Sequence, residues 1–319
     1  MIIDVHAHAL RRESLIEFGF KSIGNDEFTF PDWNYGPLDK LIYDLEGRLE
    51  SLRKRGIHLQ LVGPPPRLVS NQDIEYSRLL NKSTARLVEE SGGRLGGLAV
   101  LALKEPGKAS DELRRTVNEY GFRGVTIGSS VAGKVLDSSQ FEPLFAMIEK
   151  LGLLLFMHSA PGASNEALND YTLRTLVGYP FETTLAVSRL IFAGVLERHP
   201  ELKLVLSHGG GTLPYLQGRL NQGYFAPKYE YNPSCHSNIS KPPGEYFHQL
   251  YFDTCVLSPK SLHFLVEMVG SDRVMFGTDF PFEIGDAEGV LAIPAIKEMN
   301  GEDQKKIMGG NAAEVLGIK

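Results

Sequence analysis

The sequence opens MIIDVHAHAL, so two histidines, His6 and His8, stand one residue apart at the end of an apolar run. In a β-strand residues i and i+2 share a face, which would aim both imidazoles to one side at the strand's C-terminal end. Groups of similar chemistry recur downstream: His158 in LLLFMHS, His208 in KLVLSHGG and Asp279 at the end of RVMFGTD. Neutral imidazoles and a carboxylate form a borderline ligand set that suits Zn²⁺, with Mn²⁺, Fe²⁺ and Co²⁺ as alternatives. A His-x-His pair alone arises easily by chance, and a single histidine or acid at a strand end is commonly structural. The weight lies in joint placement: of nine histidines, four fall at the C-terminal ends of three strand-like runs.

His208 begins HGGGTLPY, where glycines let the backbone pass close to a substrate or take unusual dihedrals. A histidine so placed can ligate a metal or act as general acid or base, and the acid–base role is preferred. Asp279 lies in GTDFPF, and an acid ending an apolar strand is costly to bury without a cation or donor. Asp4 poses the same problem inside the first strand and reads as a buried carboxylate supporting a ligand. His58, His199 and His263 read as structural, His199 as a cation at a helix C-terminus. His236 and His248 are not at strand ends.

Eight apolar runs carry these residues: 1–8, 58–63, 94–103, 122–128, 153–159, 203–210, 250–255 and 273–279. Segments with helical spacing separate them. Leu41, Leu45, Leu49 and Leu52 form a stripe, and Ser139 with Glu142 resembles a capping box. Ser258 and Pro259 read as an N-cap followed by the first helical residue. Pro200 closes a helix expected from about Thr184 to Arg198. Strands apolar on both faces that alternate with helices predict an α/β chain folded as a closed (β/α)8 TIM barrel. Residues 1–319 are expected to form one domain, since such barrels commonly reach this length. Stretches 10–40, 160–182 and 222–248 are too long to be plain connectors. Each follows a strand, so each is expected as a βα-loop insertion at the C-terminal face, forming lids and substrate walls.

The bulk composition narrows the partners. At 42% hydrophobic and 23% charged the chain reads as an ordinary soluble protein with a large core. A net charge of −6 without clustered Lys and Arg argues against nucleic acid. Two cysteines, Cys235 and Cys255, are too few for a disulfide framework, and no apolar stretch reaches membrane-spanning length, so a cytoplasmic location is expected.

The blocks MIIDVHAH, MHS at 157–159, ETTLAVSRLIFAGVLERHPELKLVLSHGGGTLPY at 182–215 and VMFGTDFPFEIGD at 274–286 are similar to the amidohydrolase superfamily. More narrowly they resemble its branch of aminocarboxymuconate semialdehyde decarboxylase and related non-oxidative decarboxylases. The resemblance implies one divalent metal, usually zinc, held by His6, His8, His158 and Asp279, with His208 beside it as acid/base and Asp279 sharing in the proton transfer. It implies loss of CO₂ from a small aromatic or muconate-like carboxylic acid, and a homodimer in which one subunit closes the other's site. The alternative keeps the metal-bound water and turns it on a lactone, ester or amide carbonyl, as a hydrolase. In the aminocarboxymuconate enzyme two arginines hold substrate carboxylates, yet residues 30–41 here contain none, and after Arg219 the next basic residue is Lys228. Arg11, Arg12, Arg174, Arg219 and Lys228 are therefore the candidate anchors, and Phe28, Phe30, Trp33 and Tyr35 either an aromatic wall for a planar ring or, equally, lid packing. Trp33, Arg219 and Phe282 are the residues expected to touch substrate.

Overall fold

A computed structural model describes residues 1–30, 36–69, 73–131, 134–159, 166–226 and 235–318. The anchor and wall candidates Trp33, Tyr35 and Lys228 lie outside them. Each apolar run contains one strand: β1 Ile3–His8, β2 Leu59–Gly63, β3 Leu95–Val100, β4 Gly124–Ile127, β5 Leu154–Met157, β6 Lys203–Leu206, β7 Leu250–Asp253 and β8 Val274–Met275. They pair in parallel in sequence order as one eight-stranded sheet. The last strand closes on the first through Val5 N to Phe276 O at 2.9 Å, Asp279 N to His6 O at 2.8 Å and His8 N to Phe280 O at 2.7 Å. The fold is the expected (β/α)8 barrel.

Helices α1 Leu45–Lys54, α2 Ile74–Glu90, α3 Pro106–Tyr120, α4 Glu142–Lys150, α5 Tyr179–Phe192, α6 Leu213–Phe225 and α7 Pro259–Val269 surround it. Buried Leu, Ile, Val and Phe side chains fill the space between helices and sheet, each contributing about 1.5–3 kcal/mol. Val5, Leu61, Leu98, Phe156, Val205 and Met275 fill a second cluster, against which Ala312, Val315 and Leu316 of the C-terminal helix pack. Among the described residues no helix is long and apolar enough to cross a membrane.

Local signals translate unevenly. Ser258 caps α7 by accepting from Ser261 N, and Asp44 caps α1 by accepting from Gly47 N at 3.0 Å. Leu52 is buried in α1 as the stripe requires, but Leu41 belongs to the preceding 3₁₀ turn, Lys40–Ile42. The Ser139–Glu142 capping box does not form: Ser139 lies in a 3₁₀ turn and α4 starts at Glu142. The Glu142 carboxylate turns instead to Arg198 Nε at 2.7 Å and His199 Nε2 at 3.0 Å. His199 is thus held between two acids, Glu142 and Glu149, rather than by a helix dipole alone. The helix expected over 184–198 begins earlier, at Tyr179, and breaks at Gly194, whose φ of 72° is left-handed. In the first long loop Leu15, Phe18, Phe20 and Phe28 build a small core of their own with Leu38, Ile42 and Tyr43. Phe28 therefore serves the loop's own packing, edge-on to Tyr43 with ring centroids 5.3 Å apart.

Candidate active site

The barrel brings His6, His8, His158 and Asp279 together. One ligand atom from each lies within 4.8 Å of all the others, and all four residues are buried. Strand alternation alone does not produce this. The register of β1 against β2 shifts between Asp4 and Ala7, a bulge that lets Val5 and His6 both serve the barrel interior. Asp4 is left on the other side, accepting from Gln60 Nε2 at 2.8 Å, Thr278 Oγ1 at 2.7 Å and His6 N at 3.1 Å. It supports the ligands through their backbone and touches no ligand side chain. Gln60 in turn takes Arg48 Nη1 of α1 at 2.6 Å, and Arg48 also donates to the carbonyl of His8. β8 must come equally close: a Cβ on Gly277 would sit 2.9 Å from Asp253 Cβ and 3.0 Å from His6 Cβ.

Each histidine of the group is oriented by its Nδ1. That atom faces Asp253 Oδ2 at 2.6 Å in His6, Pro64 O at 3.1 Å in His8 and Ser159 O at 2.8 Å in His158. All three partners are acceptors, so the network assigns the proton to Nδ1 and leaves the Nε2 lone pairs free. Those lone pairs converge on Asp279 Oδ1, at 3.0 Å from His6, 2.9 Å from His8 and 3.9 Å from His158. Acceptors facing acceptors across such distances need a positive charge between them. Nε2 of His6 and of His158 are also buried without a hydrogen-bond partner. The donor set, its orientation and its orphaned atoms thus fit one bound metal ion.

The electrostatics point the same way. Burial pushes His158 down to about 3 and lowers His8 as well. Burial also acts against a charged His6, but the carboxylates of Asp279 and Asp253 outweigh it and lift His6 to about 10. Burial acts to raise Asp279, yet His6, His158 and His208 around it hold its carboxyl well below the usual carboxylate range. One proton is thereby drawn into a place where a cation would satisfy the same field.

His208 stands beside the group, with Nε2 3.5 Å from Asp279 Oδ2 and ring centroids 4.9 Å from His158 and 5.3 Å from His6. Its φ is 55°, and Gly209, Gly210 and Gly211 continue at positive φ, so the glycines serve the unusual dihedrals expected of them. A Cβ at Gly211 would lie 2.0 Å from Pro180 O, so the turn also packs tightly on α5. A cavity opens over His158, His208 and Asp279, walled by Phe282, Tyr179 and Phe264, with Lys40, Arg67 and Arg174 on its lining. Phe282 stands 5.0 Å from the ring of His8.

The basic candidates separate clearly. Arg11 pairs with Glu90 at 2.8 Å and Arg12 with Asp26, so neither faces the cavity. Arg219 is exposed on α6 and does not line the cavity, so the chain as described gives it no contact with a bound acid. Arg174 does line it, with Asn169 Oδ1 2.8 Å from Nη2. Two residues escaped the sequence reading. Arg67 follows PPP in the loop after β2, stacks 5.4 Å over Phe30 and lines the cavity; only its place after a strand could have marked it. Asp253 ends the apolar run LYFD and so carried the same signal as Asp279.

The match to the amidohydrolase family spans residues 3–318. The chain is 33% identical over 287 residues to the 2-amino-3-carboxymuconate-6-semialdehyde decarboxylase of Dictyostelium discoideum, covering 88% of this chain and 79% of that one. It is 27% identical over 309 residues to the gamma-resorcylate decarboxylase of a Polaromonas species, covering 90% and 91%. The crystal structure of 5-carboxyvanillate decarboxylase from Sphingomonas paucimobilis superposes with a TM-score of 0.83 at 24% identity, covering 100% and 99%. With the barrel, the strand-end ligand group and this full-length match together, the chain belongs to the amidohydrolase family, in the branch that holds the aminocarboxymuconate semialdehyde decarboxylases.

Proposed function

We propose that the protein is a metal-dependent carboxy-lyase that removes CO₂, without oxidation, from a small aromatic or muconate-like acid. The observation that carries this reading is the convergence of three Nε2 lone pairs and Asp279 on one point beside His208. His6, His8, His158 and Asp279 would hold one divalent metal, and zinc is the metal we favour on the three-nitrogen, one-oxygen donor set. Such an ion supplies Lewis acidity toward oxygens of the bound acid. Among the relatives, the names aminocarboxymuconate, gamma-resorcylate and 6-methylsalicylic acid decarboxylase describe small unsaturated or aromatic acids.

The chain's own residues then divide the work. Phe282 and Tyr179 flank the cavity and suit a planar ring, while Arg67 and Arg174 are placed to meet an anionic substituent. His208 Nε2 holds the proton and delivers it to the carbon that bears the carboxylate. The carbon–carboxylate bond breaks, its electron pair restores the unsaturated system, and CO₂ leaves, so one carboxylate and one proton give one C–H and one CO₂. Asp279, 3.5 Å away through Oδ2, faces the His208 imidazole with a negative charge and keeps it oriented between turnovers. Purified protein with its metal content measured, screened over benzoate and muconate analogues, is expected to release one CO₂ per acid consumed. Uptake of one water with every carbon retained would instead make it a hydrolase. Zinc is expected in the metal analysis; manganese there would correct the metal and leave the site standing.

The assembly we propose is a homodimer. Val177, Phe181 and Leu185 are 51%, 58% and 48% exposed at fourfold spacing along one face of α5 and the turn before it, with Leu176 beside them. An apolar stripe of this kind on one chain is the pattern of a self-association surface. Light scattering on the purified protein is expected to give twice the chain mass, and Phe181→Glu to give the single-chain mass with the helical content kept. A monomeric wild-type protein would refute the assembly. A cytoplasmic location is consistent with Cys235 and Cys255, both free thiols.

A further inference from the structure

We propose that Asp253 is the positioning residue of this centre, fixing the tautomer of His6 with one carboxylate oxygen and the backbone turn of His208 with the other. The inference rests on the metal reading above. Asp253 is fully buried at the end of β7, and its carboxylate reaches both His6 and the backbone beside His208. Oδ2 lies 2.6 Å from His6 Nδ1, so Nδ1 carries the proton and Nε2 keeps its lone pair for the shared ligand point. Oδ1 accepts from Gly209 N at 2.8 Å and Cys255 N at 3.1 Å. Gly209 follows His208 directly, and both residues are left-handed, at φ 60° and 55°. A non-glycine residue in that region is strained, and the bond to Oδ1 holds the strain in place. One carboxylate thus ties a candidate ligand on β1 to the backbone turn of the candidate acid after β6.

The geometry makes asparagine the discriminating substitution. Asp253→Asn would keep the shape of the side chain, yet the new amide cannot serve both sides. With its NH₂ toward His6 it forces Nδ1 to accept and moves the proton to Nε2, which then cannot ligate. Flipped, it sets NH₂ against the N–H groups of Gly209 and Cys255. Asp253→Asn is therefore expected to weaken zinc binding by about 10–100-fold in a chelator competition, with the circular dichroism of the metal-free protein unchanged. At saturating zinc its kcat is expected to stay at least about tenfold below wild type, because the His208 turn has lost part of its anchor. Wild-type zinc affinity in Asp253→Asn would overturn the tautomer role, and full recovery of kcat at saturating zinc would overturn the turn role. Should the variant not fold, nitrogen NMR of the zinc-loaded wild-type protein decides the first role: a proton on His6 Nδ1 supports it and a bare Nδ1 refutes it. Failure of the wild-type protein itself to bind zinc or manganese would strike the metal reading and this one with it, whereas a variant-specific loss bears on this one alone.

Discussion

Replacing His208 by asparagine is expected to lower kcat for CO₂ release by about a thousandfold, within the 10²–10⁴ range of a single general acid, while metal content stays at the wild-type level. The expectation follows from where His208 stands. Its Nε2 is 3.5 Å from Asp279 Oδ2, and it is not one of the four residues whose ligand atoms converge. Removing it should therefore spare the metal and remove the proton donor. Asparagine is a better probe than alanine because the residue sits at φ 55°, a region that asparagine tolerates and other side chains resist. The alanine variant would mix a backbone effect with a chemical one. A His208→Asn enzyme with near wild-type kcat would mean that the proton comes from elsewhere and would remove the central step of the proposed mechanism.

Uptake of zinc by the metal-free protein near neutral pH is expected to release about one proton per ion, and stripping the ion to abolish activity. The count comes from the four groups taken separately. His8 is lowered and His158 is pushed to about 3, so both are already neutral, and Asp279 is already ionised. His6 alone, lifted to about 10 by Asp279 and Asp253, holds a proton that the ion must displace. The sign is then fixed. A proton that competes with the metal below its pKa makes apparent affinity rise with pH, by about tenfold per unit, and level off as pH passes that of His6. Calorimetry in buffers of different ionisation enthalpy measures the count directly. Release of no proton, or of three, would contradict the electrostatic description of the site. The same titration predicts stability: at a thousandfold excess of metal over Kd, binding adds about 4 kcal/mol to unfolding, which a chelator should take away. His158→Ala should behave like chelation, because it removes one lone pair whose nitrogen is otherwise buried without a partner.

Which residues of a given type reach the site is decided only in three dimensions. Arg67 and Arg174 line the cavity, whereas Arg11, Arg12 and Arg219 do not, although all five are the same residue type in loops or helices near the same rim. A surface arginine is sorted by which acid lies near it after folding, and Glu90 and Asp26 claim Arg11 and Arg12. Aromatic residues are sorted by packing in the same way: Phe28 turns into the loop's own core and Phe282 turns to the cavity. Asp253 was as visible as Asp279, an acid closing an apolar strand, and the two differ only in which neighbour their carboxylates reach.

The sequence by itself determined the barrel and its candidate ligands. Eight apolar runs alternating with helical segments admit few packings, and functional groups placed at the ends of parallel strands must meet at one rim. Tertiary structure alone decided the finer chemistry. A bulge in β1, not simple alternation, put Asp4 behind the strand and His6 in the site; the carboxylate of Asp253 and the carbonyls of Pro64 and Ser159 chose the tautomers. Strand order follows from hydrophobic periodicity, which is local and repeats along the chain. The direction of a lone pair depends on a single acceptor that lies up to 247 residues away in sequence, and no local pattern encodes it.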